Sequence, residues 1–161
     1  MSKRFMALLA ALAVLATLVA GCGGGGGGTE SASSLSKAEF VKQGNAICAK
    51  GSKEIGEAFE KYGKEHDFSN SKQPSKAEQE EAIEAIVIPR IRKEIEGIRA
   101  LGIPAEGGAE AEAVLDAAEE ALEKGEEDPS LMLKEESAGP FAKVNKLSRE
   151  FGLTKCGEEE G

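Results

Sequence analysis

The chain has 161 residues, with 29 acidic and 20 basic side chains and a net charge of −9 at pH 7. This charge balance excludes nucleic acid as a partner, because that affinity depends on Lys and Arg that neutralise phosphates. It also argues against a domain that lies flat on anionic lipid, and the length suffices for one domain with a modest core.

The N-terminus has the pattern of a secretory signal. Lys3 and Arg4 precede an almost unbroken apolar run over residues 5–20, which is followed by Gly21 and Cys22. The run is short for a transmembrane helix, which needs about 20 apolar residues. A cleavage site that ends in Cys differs from the A-x-A pattern of an ordinary signal peptide. It places a thiol where lipid attachment requires one.

Residues 18–22 (LVAGC) resemble the lipobox of bacterial lipoproteins. The resemblance implies cleavage after Gly21, a thioether link from Cys22 to diacylglycerol, and N-acylation by a fatty acid such as palmitate. Each buried acyl CH₂ contributes about 0.8 kcal/mol, so two or three chains would anchor the protein durably. We therefore expect residues 1–21 to be a signal peptide and the mature protein to lie on the extracytoplasmic face of the cell membrane.

Residues 22–35 are expected to form the lipidated end and a flexible linker. The six glycines of residues 23–28 are followed by small and polar residues, which cannot bury enough apolar surface to order themselves. As a flexible coil, this segment has an average span of about 20 Å. It would let a domain over residues 36–157 stand clear of the membrane, and residues 158–161 would form an acidic tail.

The chain contains three cysteines. If Cys22 carries the lipid, Cys48 and Cys156 remain, and an exported protein resides where disulfides form and persist. We expect these two to pair. Free thiols or a redox site are the alternatives, although no C-x-x-C motif supports redox chemistry.

The first helix is predicted over Lys37–Tyr62. Residues 36–39 (SKAE) form a capping box, and Leu35 with Phe40 has the spacing of a hydrophobic staple. A polar loop follows from Gly63 to residue 73. The apolar positions that recur at helical intervals are Phe40, Ile47, Cys48, Ile55, Phe59 and Tyr62.

The second helix begins after another capping box at residues 75–78 and ends at residues 101–104 (LGIP), where Gly102 is the C′ residue. Pro89 falls inside it, removes one backbone hydrogen bond and should kink the axis. A static bend or a functional hinge would both produce this pattern. The inward positions are predicted to be Ile83, Val87, Ile91, Ile95 and Ile98.

A third helix is predicted over Gly108–Lys124, ended by Gly125, with Ala111, Leu115, Ala118 and Leu122 facing inward. A short helical segment should run from Asp128 to about Ser137. The last helix should run from Phe141 to Gly152, with Leu153 following its C-cap. No strand pattern competes, so the predicted fold class is all-α, a small up-and-down bundle of about four helices.

Two glycines share one face of the first helix with Cys48. Gly44 and Gly51 each cost about 1 kcal/mol of helix stability relative to alanine, which favours a close approach of another backbone at that face. We predict that residues 153–156 cross the first helix there.

Few residues suggest chemistry. His66 is the only histidine and lies in a predicted loop, so we expect an exposed side chain. The sequence shows no Glu-x-x-His pair, zinc spacing or calcium loop, so no catalytic residue, metal site or cofactor is predicted.

One acidic stripe is a candidate interaction face. It consists of Glu112, Asp116, Glu119 and Glu123 on the third helix. Like charges at this spacing are mildly destabilising, which favours a compensating partner. The stripe can be solvated, can pair with basic residues of the second helix, or can bind a basic partner or a divalent cation. The basic candidates are Arg90, Arg92, Lys93 and Arg99.

The whole pattern resembles small, uncharacterised helical lipoproteins of high-GC Gram-positive bacteria. Besides the lipobox, the resemblance covers residues 40–48 (FVKQGNAIC) and 151–157 (FGLTKCG). It implies no activity. We expect a lipid-anchored binding or interaction module of the cell envelope, with an envelope protein as a candidate partner. A structural or stress-related spacer without a ligand is the first alternative, and a carboxylate-dependent hydrolase is the second.

Overall fold

The computed structural model describes residues 35–69, 71–134 and 138–157. The lipobox, the linker up to residue 34 and the acidic tail lie outside the described residues, so their predictions are not tested by it. Within the described ranges the chain is helical and contains no β-strand, only an isolated bridge between Ser69 and Lys72. No helix of these residues is both long and apolar enough to cross a membrane.

Helix α1 spans Lys37–Glu65 and begins at the predicted capping box. The Ser36 hydroxyl accepts a hydrogen bond from the Glu39 backbone at 3.3 Å, and the Glu39 carboxylate accepts one from the Ser36 backbone at 3.1 Å. The helix continues three residues past the predicted end at Tyr62. At this end the ring of His66, the C-cap residue, stacks on the Tyr62 ring with a centroid distance of 4.0 Å. His66 is therefore half-buried, and the predicted exposed side chain is wrong.

The second long helix of the bundle consists of three consecutive elements: α2 (Lys76–Ala82), a π-helical segment (Ile83–Val87) and α3 (Ile88–Arg99). The π-helical segment ends at Val87, two residues before Pro89, which has no backbone N–H and whose ring would clash with the carbonyl four residues earlier. The Arg90 guanidinium donates to the Ile86 carbonyl at 2.9 Å, which satisfies one carbonyl of the widened turn. The predicted interruption at Pro89 thus takes the form of a π-helical segment.

This segment changes which residues of the second helix face the core. A π-turn contains one extra residue, so the inward positions shift around it. Ile83, Ile95 and Ile98 are buried as predicted, whereas Val87 and Ile91 are only half-buried. Ile86 and Ile88, which the regular helical spacing left out, are buried instead.

Helix α4 spans Gly108–Glu127, so the predicted stop at Gly125 is wrong. Gly125 is buried inside the helix, and a Cβ there would lie 2.6 Å from the Met132 sulfur. Met132 belongs to a 3₁₀ segment, Pro129–Leu133, which the Asp128 carboxylate caps by accepting from the Ser130 backbone at 3.0 Å. Close contact with this segment explains the glycine.

Helix α5 spans Ala142–Phe151 and ends at Gly152, whose φ of 110° is a left-handed conformation that favours glycine. The Leu153 backbone then donates to the Ser148 carbonyl at 2.8 Å, as a Schellman ending requires. A 3₁₀ turn, Thr154–Cys156, follows.

The helices pack in chain order into the predicted up-and-down bundle, with α1 against α3, α3 against α4 and α4 against α5. The final turn returns to α1, where Cys156 and Cys48 form the predicted disulfide with a Cα–Cα distance of 5.1 Å. Most of the buried apolar side chains belong to α3, α4 and α5, while α1 adds Phe40 and Cys48.

Candidate functional site

The final turn crosses α1 at Gly44, as predicted for that glycine. A Cβ on Gly44 would lie 2.5 Å from the Leu153 side chain, so only glycine admits this contact. The side-chain amide of Asn45 donates to the Gly152 carbonyl at 3.0 Å and accepts from the Lys155 backbone at 2.9 Å. The region around Gly44 is therefore a docking site for the chain's own end.

Gly51 has a different neighbour, and its predicted contact with residues 153–156 is wrong. A Cβ on Gly51 would overlap the carboxyl group of Glu94, which reaches across from α3. The second glycine of this face thus makes room for a carboxyl group.

The Glu94 carboxyl is unusual because it is half-buried at a contact between two helices, where it loses part of its hydration. Burial, together with the negative charge of Glu54, raises its pKa to about 7. Among the described residues it forms no hydrogen bond or ion pair. At neutral pH the group therefore exists in both its protonated and its ionised form.

An outer cleft of about 170 Å³ opens beside Glu94 between α1 and α3. The cleft also holds Lys50 and Glu54, which pair with each other at 3.7 Å. The full set of lining residues is Ile47, Lys50, Gly51, Glu54, Arg90, Lys93 and Glu94. The mixture of charges and the small volume suit a small polar group better than a large substrate.

A second space of about 100 Å³, the inner cavity, also adjoins Glu94 and is partly open to solvent, since its lining includes the half-exposed Ile91 and Phe141. Its walls come from all the long helices except α2 and from the final turn, and they are mainly apolar. Side chains that line it include Ile91, Ile95, Ile98, Leu115, Val144 and Leu153. Glu94 lines both the inner cavity and the outer cleft. Ser148 is also part of this wall, but its hydroxyl oxygen is fully buried and is not accessible from the cavity.

The predicted acidic stripe divides into two parts. Arg99 of α3 donates to Glu119 at 2.7 Å and to Asp116 at 3.3 Å, so these two carboxylates have the cross-helix partner that the sequence suggested. Glu112 and Glu123 are exposed and form no ion pair with any described residue. Of the other basic candidates, Arg92 pairs with Glu126 outside the stripe, while Arg90 and Lys93 line the outer cleft.

A second surface feature is an apolar groove of about 160 Å³ near the end of α1. Its walls include Phe59 and Leu133, which are both 39 % exposed, together with Tyr62 and Phe68. The Tyr62 hydroxyl donates to the Glu78 carbonyl at 3.3 Å. Glu78 and Gln79 also line the groove, but their side chains are hydrogen-bonded to Ser75 and to the Pro74 carbonyl.

Sequence reasoning missed Glu94, although its position offered an indication. Glu94 is three residues after Ile91 and four before Ile98, so it interrupts the apolar stripe of its helix. A carboxyl group at an inward position, facing a glycine in a neighbouring helix, is a pattern that points to a buried polar site.

No group of three or more metal-ligating side chains occurs within the described part of the chain. No known protein family, no curated protein and no solved structure matches this sequence.

Proposed function

We propose that this chain is a lipid-anchored binding module of the bacterial cell envelope, displayed on the extracytoplasmic face of the membrane. The observation that carries the binding role is Glu94, a half-buried carboxyl that has no hydrogen-bond or ion-pair partner among the described residues and lines both the outer cleft and the inner cavity. Partial burial of a carboxyl without a protein partner costs stability, although solvent at the outer cleft reduces that cost. A bound molecule would supply the missing partner.

Two features support the proposed location. The lipobox at residues 18–22 predicts a lipid on Cys22, and the six glycines that follow suit a tether. The disulfide between Cys48 and Cys156 fits an oxidising compartment outside the cytoplasm.

An envelope protein remains a candidate partner, with Glu112 and Glu123 as the unpaired part of the acidic stripe.

Metabolic labelling with a palmitate analogue tests the anchor. The wild-type chain should incorporate the label and fractionate with membranes, whereas Cys22→Ser should do neither. Cys48→Ser is the matched control, because it removes a cysteine that the proposal does not lipidate. Equal labelling of wild-type and Cys22→Ser protein would overturn the lipid anchor.

Native mass spectrometry of the full chain, extracted from its own membrane, tests the binding role. The expected result is a mass beyond the polypeptide and its acyl chains, after correction for the two hydrogens lost to the disulfide. A bare lipidated monomer in repeated preparations would instead favour a structural spacer without a ligand.

A carboxylate-dependent hydrolase is the second candidate, because Glu54 and Glu94 line the same cleft. Paired carboxyl groups in different environments are the usual acid and base of glycoside hydrolysis. The Glu54 side chain is 41 % exposed and pairs with Lys50, so only one of the two carboxyls points inward. Turnover of chromogenic glycosides or esters that is lost in Glu94→Gln would support this function over binding alone.

A further inference from the structure

Arg90 and Glu94 of the outer cleft have the spacing of a helical ion pair but do not pair with each other. They are four residues apart on α3, the spacing at which lysine and glutamate pair elsewhere in the described helices. The Arg90 guanidinium instead donates to the Ile86 carbonyl at 2.9 Å, while the Glu94 carboxyl reaches toward Gly51 of α1. The fold therefore holds a guanidinium and a carboxyl of one wall apart.

The charged groups of the cleft form a negative and a positive side. Glu54 lies close enough to Glu94 to contribute to the raised pKa of that carboxyl, so the two acidic groups are neighbours. Arg90 and Lys93 line the same cleft and form no ion pair with any described residue. Because burial and Glu54 account for the raised pKa of Glu94, neither cation is near enough to neutralise it.

These groups are accessible from the cleft. Within the described part of the chain, the Ser148 hydroxyl oxygen alone is both fully buried and without a partner, so the Glu94 oxygens retain contact with solvent. Lys93 is exposed, and the Arg90 guanidinium has further N–H donors besides the one that binds Ile86. A molecule in the cleft can therefore contact both sides.

The size and the charges of the cleft together define its ligand. Its volume is about 170 Å³, and an apolar cavity of about 150 Å³ in another protein binds benzene, so a ligand of about six or seven non-hydrogen atoms fits. A simple cation would be repelled by Arg90 and Lys93, and a simple anion would be repelled by Glu54 and Glu94. A molecule with one positive and one negative end can pair with both sides.

We propose that the outer cleft binds a small zwitterion, whose ammonium group pairs with Glu94 and whose carboxylate pairs with Arg90 and Lys93. A small amino acid has this chemistry. The inference rests on the proposed binding function and specifies its ligand class and its position.

Three zwitterions of increasing length test the inference: glycine, β-alanine and γ-aminobutyrate. n-Butylammonium and butyrate are the matched controls, since each keeps one charged end of γ-aminobutyrate. Each probe is titrated into the full chain in lipid nanodiscs while the methyl resonances of Ile47, which lines the cleft, are followed by NMR. At least one zwitterion should bind saturably and about tenfold more tightly than either ion. Tighter binding of either ion, or no saturable shift with any zwitterion, would overturn the ligand class.

Two variants locate the site. At pH 8, Glu94→Gln should weaken zwitterion binding by about tenfold, because a charge-assisted hydrogen bond is lost. Lys93→Gln should weaken it by about twofold to fivefold, since this lysine is exposed. The matched controls are Glu96→Gln and Lys42→Gln, exposed positions outside the cleft that should bind as the wild type does. Unchanged affinity in both Glu94→Gln and Lys93→Gln would overturn the site.

The pH dependence of binding distinguishes a direct contact with Glu94 from a structural effect of its replacement. The ammonium group needs an ionised carboxyl, and a pKa of about 7 makes the ionised fraction roughly tenfold smaller at pH 6 than at pH 8. The affinity should fall by the same factor in the wild type and stay constant in Glu94→Gln. A pH-independent wild type would overturn the ammonium contact. The charged groups that face Glu94 are Lys50 and Glu54 of α1 and Arg90 and Lys93 of α3, and the lining residues of α4, α5 and the final turn add none.

Failure of this inference can be told apart from failure of the binding function. A ligand mass in native spectra, together with no binding of any zwitterion, would overturn the ligand class but keep the binding module. Absence of both a native ligand mass and any zwitterion-induced methyl shift would overturn both.

Discussion

At the scale of single residues, Gly44 and Gly51, the two buried glycines of α1, accommodate different neighbours. Gly44 lets Leu153 approach the helix, and Gly51 leaves space for the carboxyl of Glu94. Both positions cost helix stability, and each is explained by an atom that occupies the space of the missing Cβ. Gly51 is the more informative of the two for function, because the group it accommodates is polar.

The substitution Gly51→Ala should release Glu94 from its buried position. The overlapping atoms belong to the end of a flexible side chain, so we expect the carboxyl to move into the outer cleft. Its pKa should then fall from about 7 toward the ordinary glutamate value of 4.5, because desolvation is the main cause of the raised pKa. A ¹³C NMR titration of the Glu94 carboxyl in the full chain measures this directly.

Gly56→Ala is the matched control in the same helix, since nothing lies within 4 Å of a Cβ at Gly56. It should stabilise the protein by about 1 kcal/mol through helix propensity and leave the Glu94 pKa unchanged. An unchanged Glu94 pKa in Gly51→Ala as well would show that the glycine does not determine the burial of this carboxyl.

At the scale of elements, the sequence predicts helix ends where a local cap forms them, and it fails where tertiary contacts decide the structure. The capping boxes before α1 and α2 and the glycines after α3 and α5 act through neighbouring residues, so their patterns are visible in the sequence. The π-helical segment before Pro89 and the continuation of α4 through Gly125 depend on tertiary contacts. The inward position of Glu94 likewise depends on its contact with α1.

The contact between the final turn and α1 depends on Asn45, which makes two hydrogen bonds to that turn. Asn45→Ala should lower the free energy of unfolding by about 1 to 2 kcal/mol, because both bonds are lost. Urea unfolding of the full chain gives this value. Gln43→Ala, an exposed position of the same helix, should change it by less than about 0.5 kcal/mol. Equal midpoints for the two variants would contradict the role of Asn45.

At the scale of the whole molecule, the disulfide joins the first helix to the last turn across 108 residues. The pairing was predictable, since only two cysteines remain once Cys22 is assigned to the lipid. The inner cavity was not predictable, because its walls combine side chains from α1, α3, α4, α5 and the final turn. Their relative positions are set by packing and not by local pattern.

Replacement of both Cys48 and Cys156 by serine should lower the free energy of unfolding by about 4 kcal/mol. The estimate follows from the loop of 108 residues that the bridge closes in the unfolded chain. Urea unfolding of oxidised wild type, reduced wild type and the double variant measures it. The reduced wild type serves as the control and should match the variant. A loss below about 1 kcal/mol in both would contradict a stabilising role for the bridge.

The raised pKa of Glu94 should make the free energy of unfolding depend on pH. Its pKa is about 7 in the folded protein and near 4.5 when unfolded, so the folded state binds more protons between these values. The stabilising contribution of the protonated carboxyl is therefore complete below pH 4.5 and is lost as the pH rises through 7. The opposite effect comes from Glu39, Glu78, Glu120 and Asp128, whose pKa values are lowered. The stability that these four ionised carboxylates contribute is present above the ordinary carboxyl pKa. It is lost only as the pH falls through their lowered pKa values.

The variant Glu94→Gln isolates this carboxyl, because glutamine keeps its shape without titrating. The full difference in pKa corresponds to about 3 kcal/mol, and solvent at the outer cleft reduces it, so we expect about 1 to 2 kcal/mol. Between pH 5 and pH 8 the wild type should lose that much stability relative to Glu94→Gln in urea unfolding. Glu112→Gln, an exposed carboxylate of the acidic stripe, should behave as the wild type does. Parallel curves for all three proteins would mean that Glu94 is not buried in the folded state.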